Sequence, residues 1–171
     1  MRILITYGSK RGGTAEIAHT LGRTLESEGF DVDVRAATRS LDPMPYDAVI
    51  VGGALYASRW HRAARRFVRR RGRSLHHRPV WFFSSGPLDD SAAEHEIPAT
   101  KQVTGLMAIA DAREHRTFGG RLAQDASGFP AAAMVRNGKA GDWRDADRIR
   151  AWARDIAAAL HGSAVGTAEV S

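Results

Sequence analysis

Ser9-Lys10-Arg11-Gly12-Gly13-Thr14 packs two hydroxyls, two cations and two adjacent glycines into six residues, a set suited to holding a phosphate group. An apolar run, residues 2–7, precedes it, and Ile17, Ala18, Leu21 and Leu25 follow at helical spacing. A strand therefore feeds straight into a helix N-terminus, whose unpaired N–H groups and partial positive charge favour an anion. Gly12 and Gly13 let the backbone approach that anion without a Cβ in the way. Ser9 and Thr14 would donate hydroxyls, and Thr14 would also cap the helix. Two other phosphate motifs are excluded. A Walker loop needs Lys after its last glycine, where this chain has Thr14, and G-x-G-x-x-G is absent. Without a ligand, the same residues would make a glycine turn ahead of a capped helix.

The elements that must position this loop alternate. Strands are expected over residues 2–7, 30–35, 48–53, 79–84 and 116–120, and helices over 14–28, 61–73, 100–112 and 143–160. Residues 54–61 and 89–96 read as loops, 128–141 fit no element, and 162–171 read as a flexible tail after a domain of residues 1–161. The third run, Ala48-Val49-Ile50-Val51-Gly52-Gly53, is apolar throughout, as in a strand buried on both faces. Five strands interleaved with four helices in this way predict a parallel sheet with helices on both sides. Such sheets bind ligands at the carboxyl ends of their strands, beside the point where strand order reverses. The loops after strands one, three and four are therefore the candidate site.

Ser-x-x-Gly-x-Thr after a strand ending in Tyr7 resembles the flavodoxin phosphate fingerprint, with Thr6 standing where a larger apolar residue is usual. Beyond the third strand, Ala54, Leu55, Tyr56 and Ala57 lie where an isoalloxazine would rest. Tyr56 or Trp60 could stack on such a ring, and Ala54 and Ala57 would let peptide groups approach its edge. Trp60 would equally serve as a packing residue at the start of a helix. Ser84, Ser85, Gly86 and Pro87 would give backbone contacts to the pyrimidine edge, or form an ordinary strand-ending turn.

Tyr7-Gly8-Ser9 through Thr14-Ala15-Glu16-Ile17-Ala18, Val51-Gly52-Gly53-Ala54, His61 with Phe67-Val68, and Asp142-Trp143 before the last helix resemble the flavodoxin-domain family, in particular its quinone-dependent protoporphyrinogen dehydrogenases. The resemblance implies a flavodoxin-like three-layer sandwich with sheet order 2-1-3-4-5 and non-covalent FMN. It implies an oxidoreductase that passes electrons from a small molecule to a quinone or other acceptor, with no catalytic side chain named. An electron carrier between proteins, or a domain that has lost FMN and serves in interactions, is the alternative. The segment 121–141 departs from the long basic and aromatic insertion of the protoporphyrinogen enzymes, being shorter and richer in Gly and Ala.

Charge is unevenly placed. Of 25 basic residues, nine are arginines between Arg59 and Arg78, a stretch with no carboxylate, whereas the rest of the chain is mildly acidic. Arg62, Arg66, Arg69 and Arg73 fall on one helical stripe. Such a stripe is a solvated face, or a dock for an acidic protein or an anionic membrane surface; nucleic acid is disfavoured because interleaved aromatics are missing. The chain has no cysteine, which removes thiolate chemistry and fits a reducing cytosol. No histidine spacing suggests a metal. No apolar run nears the ~20 residues of a membrane span, so the expected location is cytoplasmic, with peripheral attachment at the inner membrane face left open.

Overall fold

The computed structural model describes residues 1–10, 12–128 and 131–168. Its central sheet is built on β1 (Arg2–Gly8), β2 (Asp31–Ala36), β3 (Ala48–Tyr56), β5 (Val80–Ser85) and β6 (Glu114–Phe118), parallel throughout and ordered β2-β1-β3-β5-β6. In strand-only numbering this is the expected 2-1-3-4-5 order, and it reverses between β1 and β3. A short β4 (Arg59–Trp60) folds back antiparallel on β3 and is an addition to that plan.

Alternation along β1 sends Ile3 and Ile5 to one face and Leu4 to the other. On the first face lie α1 (Gly13–Ser27) and α6 (Ala146–Ala168), which bury Ile17, Leu21, Leu25, Ile149, Trp152 and Ile156. On the second lie α2 (Arg62–Leu75) and α4 (Lys101–Ala110), which bury Ala64, Phe67, Val68, Val103 and Leu106. Three layers result. Both faces of the middle strands are covered, which is why β3 and β5 read as unbroken apolar runs.

Several boundaries differ from expectation, each for a local reason. Residues 54–61 are a β-hairpin rather than a loop, because β3 continues to Tyr56 and turns on Ala57 and Ser58, both at positive φ (48° and 61°). Residues 89–96 contain one helical turn, α3 (Ser91–Glu94), begun by Asp89 accepting from the Ser91 N–H. The region 128–141 holds α5 (Ala131–Arg136), and β7 (Arg121–Leu122) pairs with β8 (Gly141–Asp142). The last helix starts at Ala146, where Asp145 accepts the N–H groups of Asp147 and Arg148. It continues to Ala168, past the expected start of the tail, and residues 169–171 lie outside the described residues.

Candidate functional site

β1 ends at Gly8, where a side chain would press to 2.7 Å from the Ala64 backbone nitrogen; its absence lets α2 sit close to the sheet's carboxyl edge. Gly12 caps α1 at φ 81°, a left-handed conformation that glycine adopts without penalty. Its N–H donates to Ser9 Oγ at 3.2 Å and its carbonyl accepts from Glu16 N–H at 3.0 Å. Thr14 is therefore not the cap that its type suggests. It is the second helical residue, 1% exposed, and its Oγ1 has no hydrogen-bond partner among the described residues. Lys10 is exposed, and its N–H donates to the Tyr56 hydroxyl at 3.3 Å, which joins this loop to the hairpin. Arg11 lies outside the described residues.

The hairpin after β3 divides the predicted ring-binding residues. Ala54 is buried and its carbonyl accepts from the His61 N–H at 2.8 Å; Leu55 is half-buried and faces Trp60 across the ladder. Tyr56, Ala57 and Ser58 are exposed at the tip. Trp60 takes the packing role and not the stacking one. It is 1% exposed, rests 4.9 Å from the Phe82 ring and covers Gly53, where any side chain would collide with the indole.

The loop after β5 is tied down as well. Ser84 turns inward, accepting from Trp60 Nε1 at 2.8 Å and lying 2.8 Å from His115 Nε2. Burial holds the His115 pKa down to about 4, so the ring is neutral and Nε2 can accept the Ser84 hydroxyl proton. Ser85 is buried, the Gly86 N–H donates to the Phe118 carbonyl at 3.1 Å, and the Pro87 carbonyl accepts from Gly120 N–H at 2.8 Å. The Gly86 amide is thus already committed within the protein.

Residues with no signal of their own complete the surroundings. Arg121 of β7 lies over Gly13, its Cβ 3.5 Å from where a glycine side chain would begin. Glu16 on the first turn of α1 pairs with Arg121 at 2.7 Å and also with Arg144, which in turn holds Asp142. These carboxylates raise the Arg144 pKa, with the Asp142 hydrogen bond foremost. The pairs span more than a hundred residues of sequence, so spacing could not have revealed them. On the other side, His61 caps α2 by accepting the Ala63 N–H at Nδ1, 3.4 Å away. Burial first, then the charges of Lys10, Arg62 and Arg65, lower its pKa and keep it neutral. Among the described residues no three histidines or carboxylates converge as a metal set, and no helix is long and apolar enough to cross a membrane.

The loops after β1, β3 and β5 thus meet at one edge, with an anion-ready helix end at its base. Comparison with known proteins agrees with this fold. The flavodoxin domain family matches residues 4–147. Protoporphyrinogen IX dehydrogenase [quinone] of Escherichia coli K12 is 31% identical over 86 residues, 49% of this chain and 48% of that protein. The chain thus matches about half the length of these curated relatives. A flavodoxin of Streptococcus pneumoniae TIGR4 superposes with TM-score 0.63 at 18% identity, over 92% of this chain and 99% of that one. The rubredoxin oxygen:oxidoreductase of Desulfovibrio gigas gives TM-score 0.63 at 14% identity, over 94% of this chain and 36% of that one. By its sequence match over residues 4–147, and with the same fold in its structural neighbours, this chain belongs to the flavodoxin domain family.

Proposed function

We propose that the chain is an FMN-dependent oxidoreductase of the protoporphyrinogen dehydrogenase type, taking electrons from a small molecule and passing them to a quinone or another acceptor. The observation that carries the cofactor assignment is Thr14 Oγ1, buried without a partner at the start of α1. A buried hydroxyl left unpaired costs about 1–3 kcal/mol, and a phosphate oxygen would satisfy it. Around it, the first N–H groups of α1 and the hydroxyl of Ser9 fit the same group. Gly12 leaves room for it, and Lys10 and Arg11 add positive charge.

Bound FMN supplies hydride and electron transfer at its ring. The chain's part is to hold and shield it. Tyr56, linked to the first loop through Lys10, would wall one side of the ring, with Ala54, Leu55 and Ala57 in the same hairpin. Ser84, Ser85, Gly86 and Pro87 would border the pyrimidine end. His61 stays neutral at the rim and adds no charge there. The E. coli relative's name points to a porphyrinogen and a quinone.

The visible spectrum of purified protein, before and after FMN is added, tests this. Bands near ~375 and ~450 nm and saturable binding are expected; a colourless protein that ignores FMN would refute it. A carrier between proteins is the second reading, favoured by the cations around Tyr56. Reduction in separate one-electron steps, with no turnover of small substrates, would establish it.

A further inference from the structure

Arginine is abundant throughout this chain, so its abundance alone says little; the distribution of partners says more. On the α1–α6 face, Arg121, Arg144, Arg150 and Arg154 each pair with a carboxylate. On the opposite face α2 contains no acidic residue, and neither does α4, which packs beside it. Among the described residues Arg59, Arg62 and Arg66 have no ion pair, and Lys10 gives only its backbone N–H to Tyr56. These cations lie close enough to act on common neighbours. Lys10 and Arg62 both bear on His61, while Arg59, Arg62 and Arg66 all bear on Arg65. The geometry sets them beside exposed Tyr56 at the carboxyl edge of the sheet: the Lys10 N–H meets its hydroxyl at 3.3 Å, Arg59 faces it across the ladder, and its ring lies 6.2 Å from that of His61, which precedes Arg62 at the start of α2, with Arg66 one turn further along.

Mutual repulsion within such a cluster works against the folded chain unless something anionic settles on it. We propose that Lys10, Arg59, Arg62 and Arg66, with Tyr56 beside them, form the docking surface for an acidic redox protein. Its role in electron transfer rests on the flavin reading above, whereas the docking itself does not. Arginine around a solvent-facing tyrosine is the composition of protein interfaces. A bilayer would gain from exposed apolar side chains to insert, and among the described residues Tyr56 is the only large one at this rim. Ile109 lies against Gly72 toward the far end of α2, and Met44 beside Arg78. Acidic side chains placed around Tyr56 would bring a partner's redox centre to the edge where the first and third loops meet.

The test uses the whole protein and a dye-labelled plant-type two-iron ferredoxin as the acidic probe, with fluorescence anisotropy as readout. Binding should weaken at least about tenfold between about 20 and 200 mM salt, as screening requires. Arg59→Ser/Arg62→Ser/Arg66→Ser should weaken it by a similar factor. Arg23→Ser/Arg150→Ser/Arg154→Ser, which removes equal charge from the α1–α6 face, should leave it within about twofold. Equal losses in both variants, or no binding at low salt, would overturn the proposal. So would tighter capture by phosphatidylcholine–phosphatidylglycerol vesicles than by ferredoxin, which would assign the rim to lipid. The readout does not need turnover. A colourless protein whose rim still binds ferredoxin would end the cofactor reading and keep this one.

Discussion

Thr14, which is buried, and His115, which is half-buried, show how much a single polar group can reveal. Thr14 Oγ1 has no partner among the described residues, so a methyl group in its place should suit the ligand-free protein at least as well. Thr14→Val is expected to hold or raise the thermal midpoint while weakening FMN binding about tenfold, the loss of roughly one hydrogen bond. Calorimetry on the ligand-free protein and a flavin fluorescence titration would check the opposite signs. His115 concerns pH. Unfolded, it takes a proton near pH 6.5, but in the fold only near pH 4. As pH falls, the unfolded chain is protonated first. Stability is therefore full above about pH 6.5 and declines toward pH 4, by up to about 1.4 kcal/mol per pH unit. Urea midpoints across that range should show the decline, and His115→Gln should flatten it.

Elements differ in how openly their sequence declares them. The helix of residues 14–28 and the strand of 48–53 were legible because apolar spacing and apolar runs are local signals, read without knowing the partner. The β3–β4 hairpin was not, since Ala57 and Ser58 are poor left-handed residues and only the Leu55–Trp60 and Tyr56–Arg59 pairings force them there. Giving the turn residues that accept positive φ, by combining Ala57→Asn with Ser58→Gly, should raise unfolding free energy by about 1 kcal/mol, visible in denaturant midpoints. Thr14 misled as a cap because its type fits that role, while Gly12 took it by a conformation that Thr resists. The β7–β8 ladder hid for another reason: two-residue strands carry no periodicity. Its anchor is Glu16, so Glu16→Ala should free Arg121, leave Arg144 held by Asp142 alone, and speed proteolysis within 121–142 several-fold. Unchanged cleavage would place the anchor elsewhere.

At the scale of the whole molecule, the sheet's middle depends on empty space beside two aromatic rings. Gly52 leaves room for Phe83 on one face, and Gly53 for Trp60 on the other. Either glycine→Ala change should cost about 1–3 kcal/mol or more through overpacking, and thermal melting would register it. The parallel sheet was readable because alternating strands and helices admit few topologies, whereas its strand order came from the family resemblance. The three-loop site was readable in position, but the inward turn of Ser84 depends on His115 and Trp60, which no spacing links.

The chain that leaves the sheet at Leu122 returns at Gly141 as its direct ladder partner, and Trp143 N–H closes on the Gly120 carbonyl at 3.0 Å. Both ends of that excursion are fixed at nearly the same place. Loop length then enters the folding free energy only logarithmically, so evolution can lengthen, shorten or exchange residues 123–140 without shifting the register of any sheet strand. On the flavin reading, whatever substrate contacts this excursion supplies can thereby change by insertion and deletion at one seam, while the first loop and the sheet beneath it stay as they are.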